Sequence, residues 1–218
     1  MDKRKTTEQA FIRNDQYNFI ARQVSHIINA YATVNHRDTL DGVKLHAFSK
    51  VEEMLPEMNG VQETLLNRLL EIEDEIEAEA FLSELKQYVI PFRRVSKKTV
   101  EKLFPKAKKL QLPDLNVLDY QSLSYIGWFD SRAHKQHLIF EYQGKLKGIS
   151  GVFDTSSTQG FCTLCHNFED VGLFVARVRS GKETYVNRGN YICKNSQSCN
   201  EQLTDLTRVD AFLDNLTR

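Results

Sequence analysis

The residues of this 218-residue chain best placed to do chemistry are four cysteines: Cys162, Cys165, Cys193 and Cys199. Their spacing is C-x2-C, then 27 residues, then C-x5-C. A C-x2-C turn presents two thiolates to one tetrahedral ion, with Zn–S near about 2.3 Å. A second pair completes the tetrahedron if a hairpin brings it back to the first. Residues 171–178 and 183–192 read as the strands of such a hairpin, around Ser180-Gly181. Residues 200–216 then read as one helix, with Leu203, Leu206, Val209, Phe212, Leu213 and Leu216 on its apolar side. Knuckle, hairpin, and a helix carrying the last ligand at its start make the treble-clef arrangement, expected over about residues 158–218.

Two other readings compete with a metal. Two disulfides need an oxidising compartment. The start Met1-Asp2-Lys3-Arg4-Lys5 has no apolar stretch after it to act as a secretory signal, so a cytoplasmic location is expected. Four free buried cysteines leave the paired spacing unexplained. One structural Zn2+ held by Cys162, Cys165, Cys193 and Cys199 is the favoured reading. His166 could replace one thiolate, but with four available it is expected beside the site or exposed. Four protein ligands close the shell, whereas a catalytic zinc keeps a position open. The sequence lacks the zinc-deaminase pattern, a Walker A loop, G-x-G-x-x-G, G-x-S-x-G and H-E-x-x-H. No enzyme is expected.

The elements that position the cysteines follow a long helical stretch. Tyr17, Ile20, Val24, Ile27 and Tyr31 recur at helical spacing. Asp38 and Asp41 can cap a second helix with the stripe Leu40, Val43, Ala47, Val51 and Met54. After Pro56 and Gly60, Val61, Leu65, Leu66, Leu69 and Leu70 mark a third. Ile76, Ala80, Phe81, Leu85 and Tyr88 mark a fourth, stopped near Pro91. One apolar face each and short connections predict a four-helix bundle over residues 1–95. Ser96 can cap a short basic helix carrying Val100, Leu103 and Phe104, ended at Pro105. Residues 124–129, 137–142 and 145–153 read as strands, the last two joined by a Gln143-Gly144 turn. The fold class is therefore α+β: a helical bundle, then an α/β domain over 96–218 containing the treble clef.

Composition narrows the function. Hydrophobic residues at 41% and charged residues at 27% are ordinary for a globular protein, which excludes global disorder. No apolar run approaches the ~18–20 residues that span a bilayer, so no membrane partner is expected. The 29 basic and 29 acidic residues cancel, giving no whole-molecule pull toward nucleic acid. The cancellation is an average: residues 1–95 carry 12 basic and 16 acidic groups, the remainder 17 and 13. Seven acids lie between Glu71 and Glu84 without a base, and six lysines between Lys97 and Lys109 against Glu101 alone. Both runs read first as solvated helix faces. The lysine run supports an alternative function, RNA or ribosome binding, but it lacks interleaved aromatics on which bases would stack.

The residues around the cysteines carry a resemblance. Gly160-Phe-Cys-Thr-Leu-Cys165, Tyr185-Val-x-x-Gly189-x-Tyr-Ile-Cys193 and Cys199-Asn-x-Gln-Leu-Thr-Asp205 resemble the FusB-type fusidic acid resistance family, the elongation factor G-binding proteins. Gln16-Tyr-Asn-Phe-Ile20, Tyr31-Ala-Thr-Val-Asn35, Tyr88-Val-Ile-Pro-Phe92, Gly127-Trp128 and Leu146-Lys-Gly148 match as well, in the same order. The resemblance implies a non-enzymatic, monomeric protein that binds elongation factor G on the ribosome and helps free ribosomes stalled with factor, GDP and drug. Direct nucleic-acid contact is not expected from it. It implies a contact surface beside the metal, carried here by Phe161, Arg188, Tyr191 and Phe212. Read from the residues alone, Phe212 and Tyr191 also fit a core, and Trp128 reads as a core aromatic.

Overall fold

A computed structural model describes residues 10–107, 110–179 and 184–217. The expected Ser180-Gly181 turn, and Lys108 and Lys109 of the basic run, lie outside the described residues. The chain divides into two compact units, one ending at Ile90 and the other beginning at Pro91. The expected boundary at residue 95 falls inside the second unit, because Phe92 and Val95 pack in its core with Trp128 and Ile139.

The described residues of the first unit form four helices. Helix α1 (Asn14–Thr33) buries Ile20, Val24 and Ile27 along one stripe. Helix α2 (Arg37–Met54) begins one residue before Asp38; His36 is its cap residue and makes no side-chain cap bond. Asp38 instead sits in the first turn, where its charge suits the helix dipole. Helix α3 (Gly60–Asn67) is capped by Asn59, whose side chain accepts from the N–H groups of Val61 and Gln62, and it tightens into a 3-10 turn, Arg68–Glu71. Helix α4 (Glu75–Lys86) is capped by Asp74.

Three expected stripe residues, Val61, Ile76 and Ala80, are corrected, since all are exposed. Val61 and Ile76 are each 79% exposed. The face that α4 buries is Ala78, Phe81 and Leu85. Ile76 lies two residues before Ala78, about 200° around a helix of 3.6 residues per turn, and so points the other way. Helix α4 also ends before the proline, because Val89 forms a bridge with Ile12 and the Ile90 N–H donates to the Ile12 carbonyl at 2.8 Å.

The second unit opens with α5 (Lys97–Leu103), whose Thr99 N–H donates to Ser96 Oγ at 3.2 Å. An antiparallel meander follows: β1 (Tyr125–Asp130), β2 (Lys135–Tyr142), β3 (Lys145–Phe161), β4 (Phe168–Arg179) and β5 (Tyr185–Cys193), in that spatial order. The β2–β3 turn puts Gln143 at φ 50° and Gly144 at φ 72°, the doubly left-handed backbone of a tight hairpin turn. Strand β3 runs beyond its expected end at 153 as far as Phe161. It does so by pairing with β4 in two stretches, with a register shift between Asp154 and Thr158.

At β1 and β2 the sheet is buried on both faces. Leu138 and Phe140 of β2 pack into one core with the C-terminal helices, while Ile139 between them packs into another with Val100 of α5 and Trp128. Trp128 is the core aromatic expected, its indole N–H donating to the Gln111 carbonyl at 2.8 Å. The single C-terminal helix expected over 200–216 is two helices, α6 (Ser196–Gln202) and α7 (Thr207–Thr217). Leu203 is extended, and Asp205 accepts from the N–H and hydroxyl of Thr207, starting a new helix. The apolar side survives the break, with Leu203, Val209, Phe212, Leu213 and Leu216 all buried.

Candidate metal centre

The four sulfurs converge at one end of the β4–β5 hairpin. Cys162 and Cys165 lie in the turn between β3 and β4, Cys193 ends β5, and Cys199 lies within α6. All four Sγ atoms fall within 4.8 Å of one another. Cys162 and Cys199 are 3.8 Å apart, Cys165 and Cys193 3.7 Å. These separations are far beyond a disulfide's ~2.0 Å. They match the edge of a tetrahedron, about 3.8 Å when metal–sulfur bonds are about 2.3 Å.

The thiols are also electrostatically incomplete without a cation. Hydrogen bonds from Cys165, Cys193 and Cys199 hold Cys162 far below the usual thiol range, while the same crowding pushes Cys193 and Cys199 far above it. Cys165 is likewise held below its usual value; four thiolates in this volume require a positive ion among them. Soft sulfur donors in a closed tetrahedral set fit zinc.

Backbone groups hold the sulfurs in place. The N–H groups of Leu164 and Cys193 approach Cys162 Sγ at 3.3 and 3.4 Å. His166, at φ 59°, closes the knuckle by donating its N–H to the Cys162 carbonyl at 2.9 Å. Its side chain is exposed, as expected for a residue outside the ligand set. Asn200, next to Cys199, is buried and locks α6 onto β1. Its Oδ1 accepts from the N–H groups of Ser124 and Tyr125, and its Nδ2 donates to the carbonyls of Tyr125 and Ser196. Burial pushes the Tyr125 phenol well above its ordinary value, with Cys199 adding to the effect. The phenol therefore keeps its proton beside the Cys199 sulfur, a neighbour that tunes a metal ligand. Nothing in the spacing of the sequence points to Tyr125, which is more than 70 residues from Cys199.

The four residues expected at a partner surface do not form one patch. Phe161 is 62% exposed and Tyr191 49% exposed, on either side of the knuckle. Arg188 stands opposite Ala176 and Tyr191 opposite Leu173 in the β4–β5 ladder. Three residues apart on one strand, they project from opposite faces. Arg188 is half-buried and donates to the Asn215 side chain on α7. Phe212 is corrected: at 3% exposure it belongs to the core, against Phe140 and Phe174 at 6.0 Å each. Its helical face, shared with Val209 and Leu216, is turned to the sheet. The sequence reading missed Phe168, which is 60% exposed and meets Phe161 edge-on at 5.4 Å. The signal was available, since Phe161 and Phe168 bracket the knuckle where β3 must pair with β4.

Among the described residues no helix is long and apolar enough to cross a membrane. Residues 11–93 match the family described as "Elongation factor G-binding protein, N-terminal". Residues 100–213 match the one described as "FBP C-terminal treble-clef zinc-finger". No curated protein matches the chain. Among solved structures, one titled "Structure of the fusidic acid resistance protein FusC" superimposes with a TM-score of 0.84 at 26% identity, covering 96% of this chain and 99% of that one.

Proposed function

Because the chain belongs to the elongation factor G-binding protein family, with its N-terminal domain and its treble-clef zinc finger in tandem, we propose that it binds elongation factor G. In this reading it acts in the cytoplasm as a monomer. It promotes release of the factor from stalled ribosomes and so protects translation from fusidic acid, without catalysing a reaction. Cys162, Cys165, Cys193 and Cys199 hold one structural zinc that fixes the knuckle to β5 and α6.

The observation that carries the reading is the tandem of both family domains on one chain, which is similar along its length to a fusidic acid resistance protein. The surface supports it: Phe161 and Tyr191 hold aromatic rings in water beside the knuckle, and exposed aromatic and Arg residues are the usual anchors of a protein interface. Phe161 and Tyr191 are assigned to direct contact, Arg188 to an adjoining charged contact, and Phe212 to support of the hairpin from beneath. Purified chain and elongation factor G should co-elute on gel filtration at micromolar concentration; separate elution sinks the proposal. Binding to ribosomal RNA through the exposed lysines of α5 ranks second, and it would vanish steeply as salt is raised.

A further inference from the structure

Strand β5 is an outer edge of the sheet, since only β4 pairs with it among the described residues. The phase of its ladder is fixed at the metal end. The Lys194 N–H donates to the Asp170 carbonyl at 3.1 Å, toward β4, whereas the Tyr191 carbonyl points away and accepts from Thr163 of the knuckle. Along an antiparallel strand the backbone groups alternate, one residue turned to its neighbour and the next turned outward. Tyr191, Gly189, Asn187 and Tyr185 stand opposite Leu173, Val175, Arg177 and Arg179, so all four turn their N–H and C=O groups outward. The knuckle covers the edge at Tyr191. From Tyr185 to Gly189 no backbone bond reaches it from the outer side among the described residues, and Tyr185, Asn187 and Gly189 are exposed.

Proline, lysine and a bulge, devices that guard an edge against stray pairing, are absent from this stretch. Its one charge, Arg188, is tied back to the Asn215 side chain on α7. Gly189 points further. Its φ is not positive, so the backbone does not demand glycine there. A Cβ would lie 3.3 Å from Leu173 Cδ1 and 3.9 Å from Val175 Cγ2, the yielding ends of two side chains. Glycine within a strand weakens it and marks a place where another backbone comes close.

The face beside this notch selects the strand that fits. Val152 of β3, Val175 of β4 and Gly189 lie in one row across the sheet. Val152 is 55% exposed, and neither Leu173 nor Val175 belongs to a core of the second unit. Arg177 shares the face, its guanidinium 4.3 Å from the centre of the Tyr185 ring and in no ion pair among the described residues. An added strand therefore meets apolar side chains beside Gly189 and a cation beside Asn187. A second copy of β5 suits this poorly, because it brings its own arginines and no acid.

We propose that Tyr185–Gly189 is a strand-addition site, where an extended segment of elongation factor G pairs main chain to main chain with β5; this rests on the partner proposed above. On the open face the segment carries an apolar residue toward Leu173 and Val175. Two residues away it carries a carboxylate toward Arg177. Main-chain bonds supply the affinity, and these side chains choose the segment.

The test uses the full zinc-loaded chain and purified elongation factor G. Amide hydrogen exchange at Asn187 and Gly189 should be fast in the free chain and slowed about tenfold or more in the complex. Asn187→Pro removes an outward N–H that the β4 ladder does not use, and should weaken binding about tenfold. Asn187→Ala keeps that N–H and should bind as the parent does. No binding by the parent sinks the partner, and this site with it. Binding with both amides unprotected, undiminished affinity of folded Asn187→Pro, or an equal loss with Asn187→Ala overturns the strand-addition site alone. So does protection of both amides in the chain by itself at doubled mass on gel filtration, which assigns the edge to a second copy. The exchange measurement decides even where Asn187→Pro fails to fold.

Discussion

The backbone N–H of Thr163 donates to the carbonyl oxygen of Tyr191 at 2.7 Å. The knuckle is thereby fastened to β5 beside the sulfurs, one residue from Cys162 on one side and two from Cys193 on the other. Metal geometry and the placing of the two exposed aromatics are consequently one structural problem. Whatever loosens the four-sulfur site also moves Tyr191 relative to Phe161.

Cys193→Ser should therefore lose metal and fold together in the second unit. A structural zinc contributes about 10–16 kcal/mol of apparent binding free energy in small domains, more than the stability of most domains. Metal content by mass spectrometry and far-UV circular dichroism check this. The helical signal of the first unit should persist, since its core shares no residue with the cysteine core. A folded variant with full metal content would refute the structural role.

Phe161→Ala and Tyr191→Ala should do the opposite. Both rings stand largely in solvent, so the melting temperature and zinc content should stay at parent values. Affinity for elongation factor G should fall by about 2–4 kcal/mol at each position if these are interface anchors. Calorimetric titration alongside a thermal melt separates the outcomes. If either variant melts early, that ring was holding the knuckle.

Phe212→Ala should fall on the stability side of that division. Its ring sits between Phe140 and Phe174, and truncating a buried Phe costs about 3–5 kcal/mol. Urea unfolding should show the loss. Affinity per folded molecule for elongation factor G should stay near the parent value.

Asn200→Ala removes no sulfur and no exposed group, yet should weaken the metal site. It deprives the N–H groups of Ser124 and Tyr125 of an acceptor, and the carbonyls of Tyr125 and Ser196 of a donor. Leaving buried polar groups unpaired costs about 1–3 kcal/mol. Zinc should transfer faster to a chromogenic chelator, because α6 carries Cys199. Asn200→Asp keeps the acceptor and loses the donors, so its zinc should leave at an intermediate rate.

These residues also show where sequence reasoning reached and where it stopped. The cysteine spacing specified the metal site because thiolate pairs in a turn have few other uses. Gln143-Gly144 specified a hairpin through the positive φ that Gly144 accepts readily. Helical periodicity found Ile20, Val24 and Ile27, but it could not choose a face where apolar residues ring the helix. It therefore put Ile76 and Ala80 inside along with Phe81 and Leu85, and only packing selected Ala78. The break between α6 and α7 was hidden because Leu203 and Leu206 kept the apolar period across it. Asp205 was the local signal, a residue whose carboxylate competes for the backbone N–H two positions on. His137 was illegible: its neighbours Trp128 and Phe104 come from other elements, and only tertiary packing strips its nitrogens of partners.

That imidazole gives the stability of the second unit a pH dependence of definite sign. Burial holds the His137 pKa below its ordinary 6.5; Asp130 acts to raise it and Lys135 to lower it further, and burial prevails. In the unfolded chain the ring protonates near pH ~6.5. Between that value and the lower folded one, the unfolded state binds more protons than the folded state, so stability falls as pH drops through this window. Above the window both states are neutral and the contribution is flat. His137→Phe keeps the stacked ring and removes the titration, so it should lose less stability than the parent between pH 7.5 and 5.5. Acid release of metal acts on both proteins alike, which leaves the difference between them as the contribution of His137. Urea unfolding at the two pH values measures it. If the parent instead gained stability over His137→Phe on acidification, the charged imidazole would be pairing with Asp130, and burial would not be the dominant force on this residue.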